Sequence, residues 1–160
     1  MGLYDDEANE NVIAKFRLSD GAKTELLRHS PFFDHHISCR NLLQPGWCVV
    51  STYASSQRVD QGGSLPWLPF EDEVFALKLD GSQTVNRVAH HRSRRYPPHV
   101  EEPDPGLYFA EPHATVSARG DKVVYGSNWG DTSSLDRIDA YMVRVGGPAR
   151  PTGNRVRPRR

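Results

Sequence analysis

The stretch YFAEPHATVSARGDKVVYGSNWG, residues 108–130, opens with an aromatic pair, places an acid and a histidine at Glu111 and His113, and then alternates like a β-strand. A similar stretch, FFDHHISCRNLLQPGWCVVSTYA at residues 32–54, has its own acid and histidines in the same place. Both run through a histidine, a short strand, a turn and a Val-Val strand. We therefore interpret the two stretches as copies of one hairpin unit.

A second repeated unit alternates with the first along the chain. NVIAKFRLSDGAKTELLRHS at residues 11–30 and DEVFALKLDGSQTVNRVAHHRS at residues 72–93 share an alternating strand, an Asp-Gly turn, a second strand and a histidine close to a serine. Asp-Gly between alternating runs favours a hairpin, because glycine adopts positive φ without steric cost. The sequence therefore predicts two further antiparallel hairpins.

The order of these units predicts the fold. If the hairpins are lettered by strand, the chain runs CD, AB, CD, AB, followed by a last C strand, IDAYMVRV. Repeated units of four antiparallel strands are typical of a β-propeller. The predicted fold class is all-β, a β-propeller fragment of about two to two-and-a-half four-stranded antiparallel blades.

The predicted organisation has three parts. Residues 1–10 are a flexible N-terminal lead, residues 11–145 are the partial propeller, and residues 146–160, rich in arginine and proline, are a disordered basic tail. The partial propeller contains strands C and D of one blade, one full blade, and strands A to C of the next. A closed ring needs about 4–8 blades. The remaining blades are therefore expected from a longer chain, of which this is the C-terminal part, or from self-association.

Composition excludes two classes of partner. The 160 residues contain 20 lysines and arginines against 20 aspartates and glutamates, so no overall positive field favours nucleic acid. No apolar run approaches the roughly 20 residues that span a bilayer. Neither a nucleic acid nor a membrane is expected as a partner.

Cys39 and Cys48 belong to the two strands of one predicted hairpin. If Pro45 and Gly46 are the central residues of its turn, Cys39 lies opposite Thr52 and the two thiols are not neighbours. A disulfide would need a different register. The sequence therefore predicts two reduced cysteines that pack as small apolar residues.

Histidines recur at the end of the blades where strand A begins. His36 and His113 each start an A strand, His91 ends a D strand that leads toward the same rim, and Glu111 precedes His113 by two residues. Two or three imidazoles with a carboxylate fit a divalent transition metal, Mn, Fe or Zn. They equally fit a general base paired with a charge neutraliser. The structural alternative is that these histidines cap backbone groups.

Three further residues are candidate ligand contacts. Trp67 lies between two prolines in a long loop and could stack on a sugar ring, while Arg40 and Arg92 could neutralise an acidic ligand. The alternative for the arginines is a solvated surface. The expected partner is an acidic oligosaccharide or another small polar ligand.

The segments DHHIS, EVFALKLDG, AHHRS and EPHATVSARGDKVVYGSNWG resemble the C-terminal blades of TolB-like bacterial β-propellers, over roughly residues 10–145. Within that superfamily the chain is more weakly similar to oligogalacturonate lyases, which hold a divalent metal through histidines and a glutamine and cleave acidic sugars by β-elimination. The resemblance implies that His36 and His113 match metal-ligand positions. It departs from the lyase pattern at Glu111, where a histidine is expected, and no clear ligand glutamine precedes that residue.

Two functions are therefore expected. The first is a partial propeller that binds a sugar or other polar ligand at the channel mouth, without demonstrable catalysis on its own. The alternative is a metal-dependent polysaccharide lyase, similar to oligogalacturonate lyases, that acts on uronate oligosaccharides. A metal at the A-strand histidines favours the lyase, and histidines bonded within the sheet favour the binding module.

Overall fold

A computed structural model describes residues 2–54, 67–94, 110–131 and 137–146. Most of the predicted basic tail and most of the long loop that precedes Trp67 lie outside the described residues. The strands are β1 (Gly2–Asp5), β2 (Glu10–Phe16), β3 (Lys23–His29), β4 (Phe33–Ser38), β5 (Trp47–Ala54), β6 (Glu73–Lys78), β7 (Val85–His90), β8 (Thr115–Val116), β9 (Lys122–Ser127) and β10 (Asp139–Arg144). In the described part of the chain, no helix is long and apolar enough to cross a bilayer.

The strands form three antiparallel sheets in chain order, which confirms the all-β prediction. Sheet I has the order β1-β2-β3, sheet II has β4-β5-β6-β7, and sheet III has β10-β9-β8. The two predicted Asp-Gly hairpins are present as β2–β3 and β6–β7. Gly21 and Gly81 in their turns have φ values of 72° and 86°, as the turn prediction requires.

Sheet II lies between the other two sheets. Val50 and Phe75 pack against sheet I, whereas their neighbours Val49 and Val74 pack against sheet III. Successive side chains of a strand point to opposite faces, so the two-residue apolar runs of β5 and β6 cover both neighbouring sheets. The buried cluster between sheets I and II contains Ile13, Leu26, Leu27, Val50, Phe75 and Leu77. The cluster between sheets II and III contains Val49, Val74, Ala114, Val116, Val123 and Tyr125.

Strand β1 stands where the sequence predicted part of a flexible lead. It pairs with β2 so that Leu3 lies opposite Val12. Arg28 of β3 fastens this edge, with Nη1 lying 2.8 Å from Asp5 and 3.4 Å from Glu10. Because ion pairs hold much of β1 in place, its sequence lacks the alternating apolar pattern by which a strand is predicted.

The two cysteines form a disulfide, so the prediction of two reduced thiols was wrong. Ser38 pairs with Val49, which makes Cys39 and Cys48 the next opposing positions, with their Cα atoms 4.4 Å apart. The predicted register assumed a tight Pro-Gly turn. The strands are instead joined by a wider loop, residues 39–46, and this shift brings the sulfur atoms together.

Candidate metal centre

Three of the four predicted metal ligands converge at the seam between sheets II and III. His36 lies on β4, and Glu111 and His113 lie in the segment that leads into β8. The potential ligand atoms of these residues all lie within 4.8 Å of one another. One carboxylate oxygen of Glu111 is 3.4 Å from Nε2 of His36 and 3.8 Å from Nε2 of His113.

His36 faces sheet III because it shares a face with its cross-strand partner Ser51. Its ring stacks on Tyr53, with ring centroids 4.9 Å apart, and lies 4.1 Å from the ring of His113. Burial lowers the pKa of His36, and the neighbouring His113 lowers it further, although Asp34 acts in the opposite direction. The neutral imidazole, which has a free lone pair for a metal, is therefore favoured near neutral pH.

The Glu-Pro-His segment is held by both sheets. Pro112 is buried, and its carbonyl accepts a hydrogen bond of 2.9 Å from the backbone NH of Gly126 in β9. On the other side, the NH of Ala114 donates to the hydroxyl of Ser51 in β5 at 3.2 Å. Between these two anchors His113 has a φ of 41°. This left-handed conformation costs a residue with a side chain about 1–2 kcal/mol, and the anchors hold it in place.

Strained backbone is concentrated at the end of the sheets where the centre lies. Seven residues other than glycine have positive φ among those described, and six of them lie at the end where β2, β4, β6 and β8 begin. These six are Asn9, Phe70, Asp72, Arg92, His113 and Trp129. Positive φ is uncommon for residues with side chains, and clusters of such residues mark functional regions more often than plain scaffold.

The donor set fits a divalent transition metal. Two imidazoles and one carboxylate suit Zn, Fe or Mn, and they leave coordination positions open for water or a ligand. Metal–ligand bonds of about 2.0–2.1 Å in a tetrahedral site place the ligand atoms roughly 3.4 Å apart. The contact of Glu111 with His36 at 3.4 Å already has this spacing, that with His113 at 3.8 Å is slightly longer, and all the ligand atoms lie within 4.8 Å of one another. The Glu111 side chain is 10% exposed, and a cation would compensate its lost hydration.

The three candidate ligands also contact one another without a metal. Nε2–H of His36 can donate to Glu111, which leaves Nδ1 of His36 buried and without a hydrogen-bond partner among the described residues. A metal-bound histidine usually donates from its other ring nitrogen to a carbonyl or carboxylate. The candidate centre thus has three ligands near one point, and Nδ1 of His36 lacks the acceptor that a metal-bound histidine usually has.

His91, the fourth predicted ligand, is not part of the centre. Its side chain is 1% exposed, its Nε2 lies 2.9 Å from the carbonyl oxygen of Thr52, and its Nδ1 accepts a hydrogen bond from the NH of Ser93. Both ring nitrogens are therefore occupied by backbone groups, and burial lowers the pKa of His91 to about 4. His91 therefore caps backbone groups, which was the structural alternative to a metal ligand, and it connects the end of β7 to β5.

The predicted ligand contacts divide between the two ends of the sheets. Trp67 is 63% exposed and places its ring edge-on to His90, at the same end as the centre. Arg92 lies at that end too, with its guanidinium 5.4 Å from the ring centroid of Trp129. Arg40 follows β4 at the opposite end, beside the disulfide, and the structure does not bring it to the centre.

A pocket next to the centre was missed in the sequence. It has a volume of about 390 Å³, and its lining residues include Tyr4, Asn11, Asp34, His35 and Tyr53. Tyr53 borders this pocket and also stacks on His36, so it links the pocket to the centre. Strand alternation places Tyr53 on the same face of β5 as Ser51, the partner of His36, so its position near His36 could have been predicted from the sequence.

A second histidine pair lies at the seam between sheets I and II. Nε2 of His29 is 3.0 Å from Nδ1 of His35, and Nδ1 of His29 is 3.0 Å from the carbonyl oxygen of Ser30. The carbonyl can only accept, so His29 donates to it from Nδ1 and receives the hydrogen bond of His35 at Nε2. Burial lowers the pKa of both residues, that of His35 to about 4 with a further contribution from His29.

Comparison of the chain with protein-family models, with curated proteins and with solved structures found no match in any of the three. The assignment of a candidate site therefore rests on geometry and chemistry. Its basis is the type of the three side chains, their spacing, and the anchored backbone that carries Glu111 and His113.

Proposed function

We propose that the chain is a partial β-propeller that binds a divalent transition metal through His36, Glu111 and His113, and that it binds a sugar or another polar ligand at the same rim. The observation that carries this proposal is the convergence of two imidazoles and a nearly buried carboxylate from two different sheets. Residues so distant in sequence share this space only because the sheets stack in register.

The propeller interpretation is supported by the arrangement of the sheets. Each sheet is an antiparallel meander, consecutive sheets pack face to face in chain order, and the predicted A strands β4 and β8 begin at the same end. Sheet II has the four strands expected of a complete blade. In a propeller, this end of the A strands would form the mouth of the channel.

Ligand binding is supported by the pocket beside the centre. It is an open depression of the surface with a volume of about 390 Å³. Asp34 offers carboxylate oxygens for hydroxyl groups, and the half-exposed ring of Tyr4 offers an apolar face of the kind on which sugars stack. A hydroxyl or carboxylate of such a ligand would fill an open coordination position of the metal.

A metal-dependent lyase of acidic oligosaccharides is the second candidate, and the open coordination positions favour it. A metal there would bind a uronate carboxylate and make the neighbouring C–H more acidic. In β-elimination a base removes that proton, a C=C bond forms, and the C–O bond to the leaving sugar breaks. The unsaturated product absorbs in the ultraviolet, so incubation with uronate oligomers tests this candidate directly.

The test of the metal centre compares three proteins. The wild type, the double variant His36→Ala/His113→Ala and the control His90→Ala are incubated with Zn²⁺ or Mn²⁺, desalted and assayed for metal. His90 is an exposed histidine at the same end of sheet II and does not belong to the centre. We expect about one equivalent of metal in the wild type and the control, and less than a tenth of that in the double variant.

Circular dichroism of the three proteins shows whether each is folded, so that loss of metal is not confused with loss of structure. Absence of metal from folded wild type, or equal retention by the folded double variant, would contradict the proposal. In either case Glu111 would serve only as a hydrogen-bond acceptor for the two histidines. Glu111→Gln, which keeps the shape and removes the charge, should weaken metal binding at least tenfold.

A further inference from the structure

The segment that follows β7 carries two exposed arginines, Arg92 and Arg94, on either side of the buried Ser93. The hydroxyl of Ser93 donates a hydrogen bond to the carbonyl oxygen of Ala110, the residue before Glu111. This segment therefore adjoins the one that carries the carboxylate of the candidate metal centre. Neither arginine has a carboxylate within 4 Å among the described residues, so both positive charges are available to a ligand.

Buried hydrogen bonds fix the backbone that carries the two arginines. The side chain of Asn128 is 6% exposed, accepts a hydrogen bond from the NH of Arg94 at 2.9 Å and donates to its carbonyl oxygen at 2.6 Å. The hydroxyl of Ser127 donates to the carbonyl oxygen of His91 at 2.5 Å and accepts from the NH of Trp129 at 2.9 Å. The segments that follow β7 and β9 are therefore joined side by side at this end of the sheets.

Trp129 positions the guanidinium of Arg92, which lies 5.4 Å from the centroid of its ring. The ring of Trp129 stacks on Tyr141 at 5.0 Å, and Tyr141 stacks on the buried Tyr125 at 5.8 Å. A guanidinium that covers an aromatic ring still presents the N–H groups at its edge, and two of them bind a carboxylate or phosphate in parallel. The aromatic column thus holds the donor edge of Arg92 in place for an oxyanion.

Arg94 reaches the same place from the other side of Ser93. A side chain on Gly130 would place its first carbon 3.9 Å from Cδ of Arg94 and 3.9 Å from the carbonyl oxygen of Arg92. Because the guanidinium of Arg92 covers the neighbouring Trp129, both arginines lie over residues 129–130. Two positive charges held over one turn repel each other, and an anion bound between them removes that repulsion.

The backbone conformation of this unit is unusual for a solvated surface. Arg92 and Trp129 have φ values of 55° and 51°, which are unfavourable for residues with a side chain and cluster at ligand-binding regions. Arg87 provides the contrast, since its guanidinium lies 5.3 Å from the ring centroid of Phe70 and is paired with Glu73. That arginine is supplied with an anion by the fold, whereas Arg92 has none among the described residues.

We propose that Arg92 and Arg94 form an oxyanion site that binds an anionic group of the ligand at this rim. The inference rests on the proposed function, because it names the charge of the ligand that the rim binds, but the site itself uses no metal. A carboxylate of an acidic sugar and the phosphate group of a phosphorylated ligand share the required chemistry, a pair of negatively charged oxygens that matches the guanidinium fork.

The experiment is an NMR titration of the metal-free protein with inorganic phosphate, with glucuronate and with glucose, at an ionic strength held constant with sodium chloride. The side-chain Nε–H signals of Arg92 and Arg94 and the indole N–H of Trp129 report on the site. Phosphate or glucuronate should shift all three signals along one saturable curve, and uncharged glucose should not. Arg92→Gln and Arg94→Gln should each raise the Kd about fivefold or more, because each removes one charged donor.

Arg144→Gln is the matched control, because it removes the same charge from an exposed position at the opposite end of sheet III. It should bind like the wild type. Tighter binding of glucuronate identifies an acidic sugar as the source of the anion, and tighter binding of phosphate identifies a phosphorylated ligand.

Shifts that do not saturate, or a Kd that is the same in the folded Arg92→Gln and Arg94→Gln variants as in the wild type, would overturn the oxyanion site. The backbone NMR spectrum of each variant shows whether it is folded. Because the titration uses metal-free protein, its result is separate from that of the metal assay, and failure of one proposal is distinguished from failure of the other.

Discussion

His35 and His36 are neighbours on β4, yet the structure gives them opposite surroundings. His35 faces sheet I, where it pairs with His29 in a hydrogen-bonded chain that ends on a backbone carbonyl. His36 faces sheet III, where it meets Glu111 and a second imidazole. The difference shows that the seam a β4 histidine faces decides whether its ring is hydrogen-bonded to another structural side chain, as in His35, or lies beside a carboxylate as a candidate metal ligand, as in His36. Among the described residues, Glu111 lies within 4 Å of a ring nitrogen of His36 and of His113, and no carboxylate lies as close to His29 or His35.

The largest difference should appear in folding stability. His29 is buried, stacks on Phe33 and is bonded at both nitrogens, so we expect His29→Ala to lower the free energy of unfolding by about 2 kcal/mol or more. His36→Ala should cost less than about 1 kcal/mol, because its ring is partly exposed and not fully bonded. Urea unfolding of the two variants measures both values. Equal losses would remove the distinction between the seams.

Metal should stabilise the protein by binding at the seam between sheets II and III, and not at the seam between sheets I and II. A ligand present at about 100 times its Kd stabilises the native state by roughly 2.7 kcal/mol. We expect this gain with Zn²⁺ for the wild type and for His35→Gln, and only a small fraction of it for His113→Ala, which keeps two of the three ligands. Thermal unfolding with and without the metal gives the comparison. An equal gain in His113→Ala would place the metal at another site of the native protein, because a metal that binds the unfolded chain lowers the stability.

Acid should weaken the folded protein by protonating its buried histidines. The pKa values of His29, His35 and His91 lie below the unfolded value of about 6.5 because these rings are buried. The unfolded chain therefore binds more protons than the native chain between about pH 6.5 and pH 4. Stability contributed by the neutral rings is complete above pH 6.5 and falls as the pH decreases through this window.

Urea midpoints between pH 8 and pH 4 measure this loss, and His35→Gln should reduce it by removing one of the titrating rings. Carboxylates such as Asp5, whose pKa is lowered by its hydrogen bond to Arg28, contribute only at still lower pH. A flat stability profile above pH 4.5 would show that the buried rings do not resist protonation.

The hairpins could be predicted from sequence because their signals are local. Strand alternation and the Asp-Gly turns specify β2–β3 and β6–β7 without reference to the rest of the chain. The repeat then placed His36 and His113 at equivalent strand starts. That equivalence was enough to predict that they meet, since stacked repeats bring equivalent positions together.

The disulfide and the burial of His91 depend on the pairing register of the strands and on which face of a strand each residue occupies. The sequence specifies both only weakly. A shift in the β4–β5 pairing turns Cys39 and Cys48 from separate thiols into a disulfide. His91 is adjacent to the exposed His90, and one residue of alternation decides that it is buried and bonded to backbone. The ionic attachment of β1 likewise leaves no hydrophobic pattern.

The most direct measurement is an X-ray absorption spectrum of the protein loaded with one equivalent of Zn²⁺. The account predicts two imidazole ligands with Zn–N distances of about 2.0–2.1 Å and remaining oxygen ligands at similar distance, with one imidazole lost in His113→Ala. A first shell with no imidazole, or one unchanged by His113→Ala, would contradict the assignment of His36, Glu111 and His113 as the metal centre.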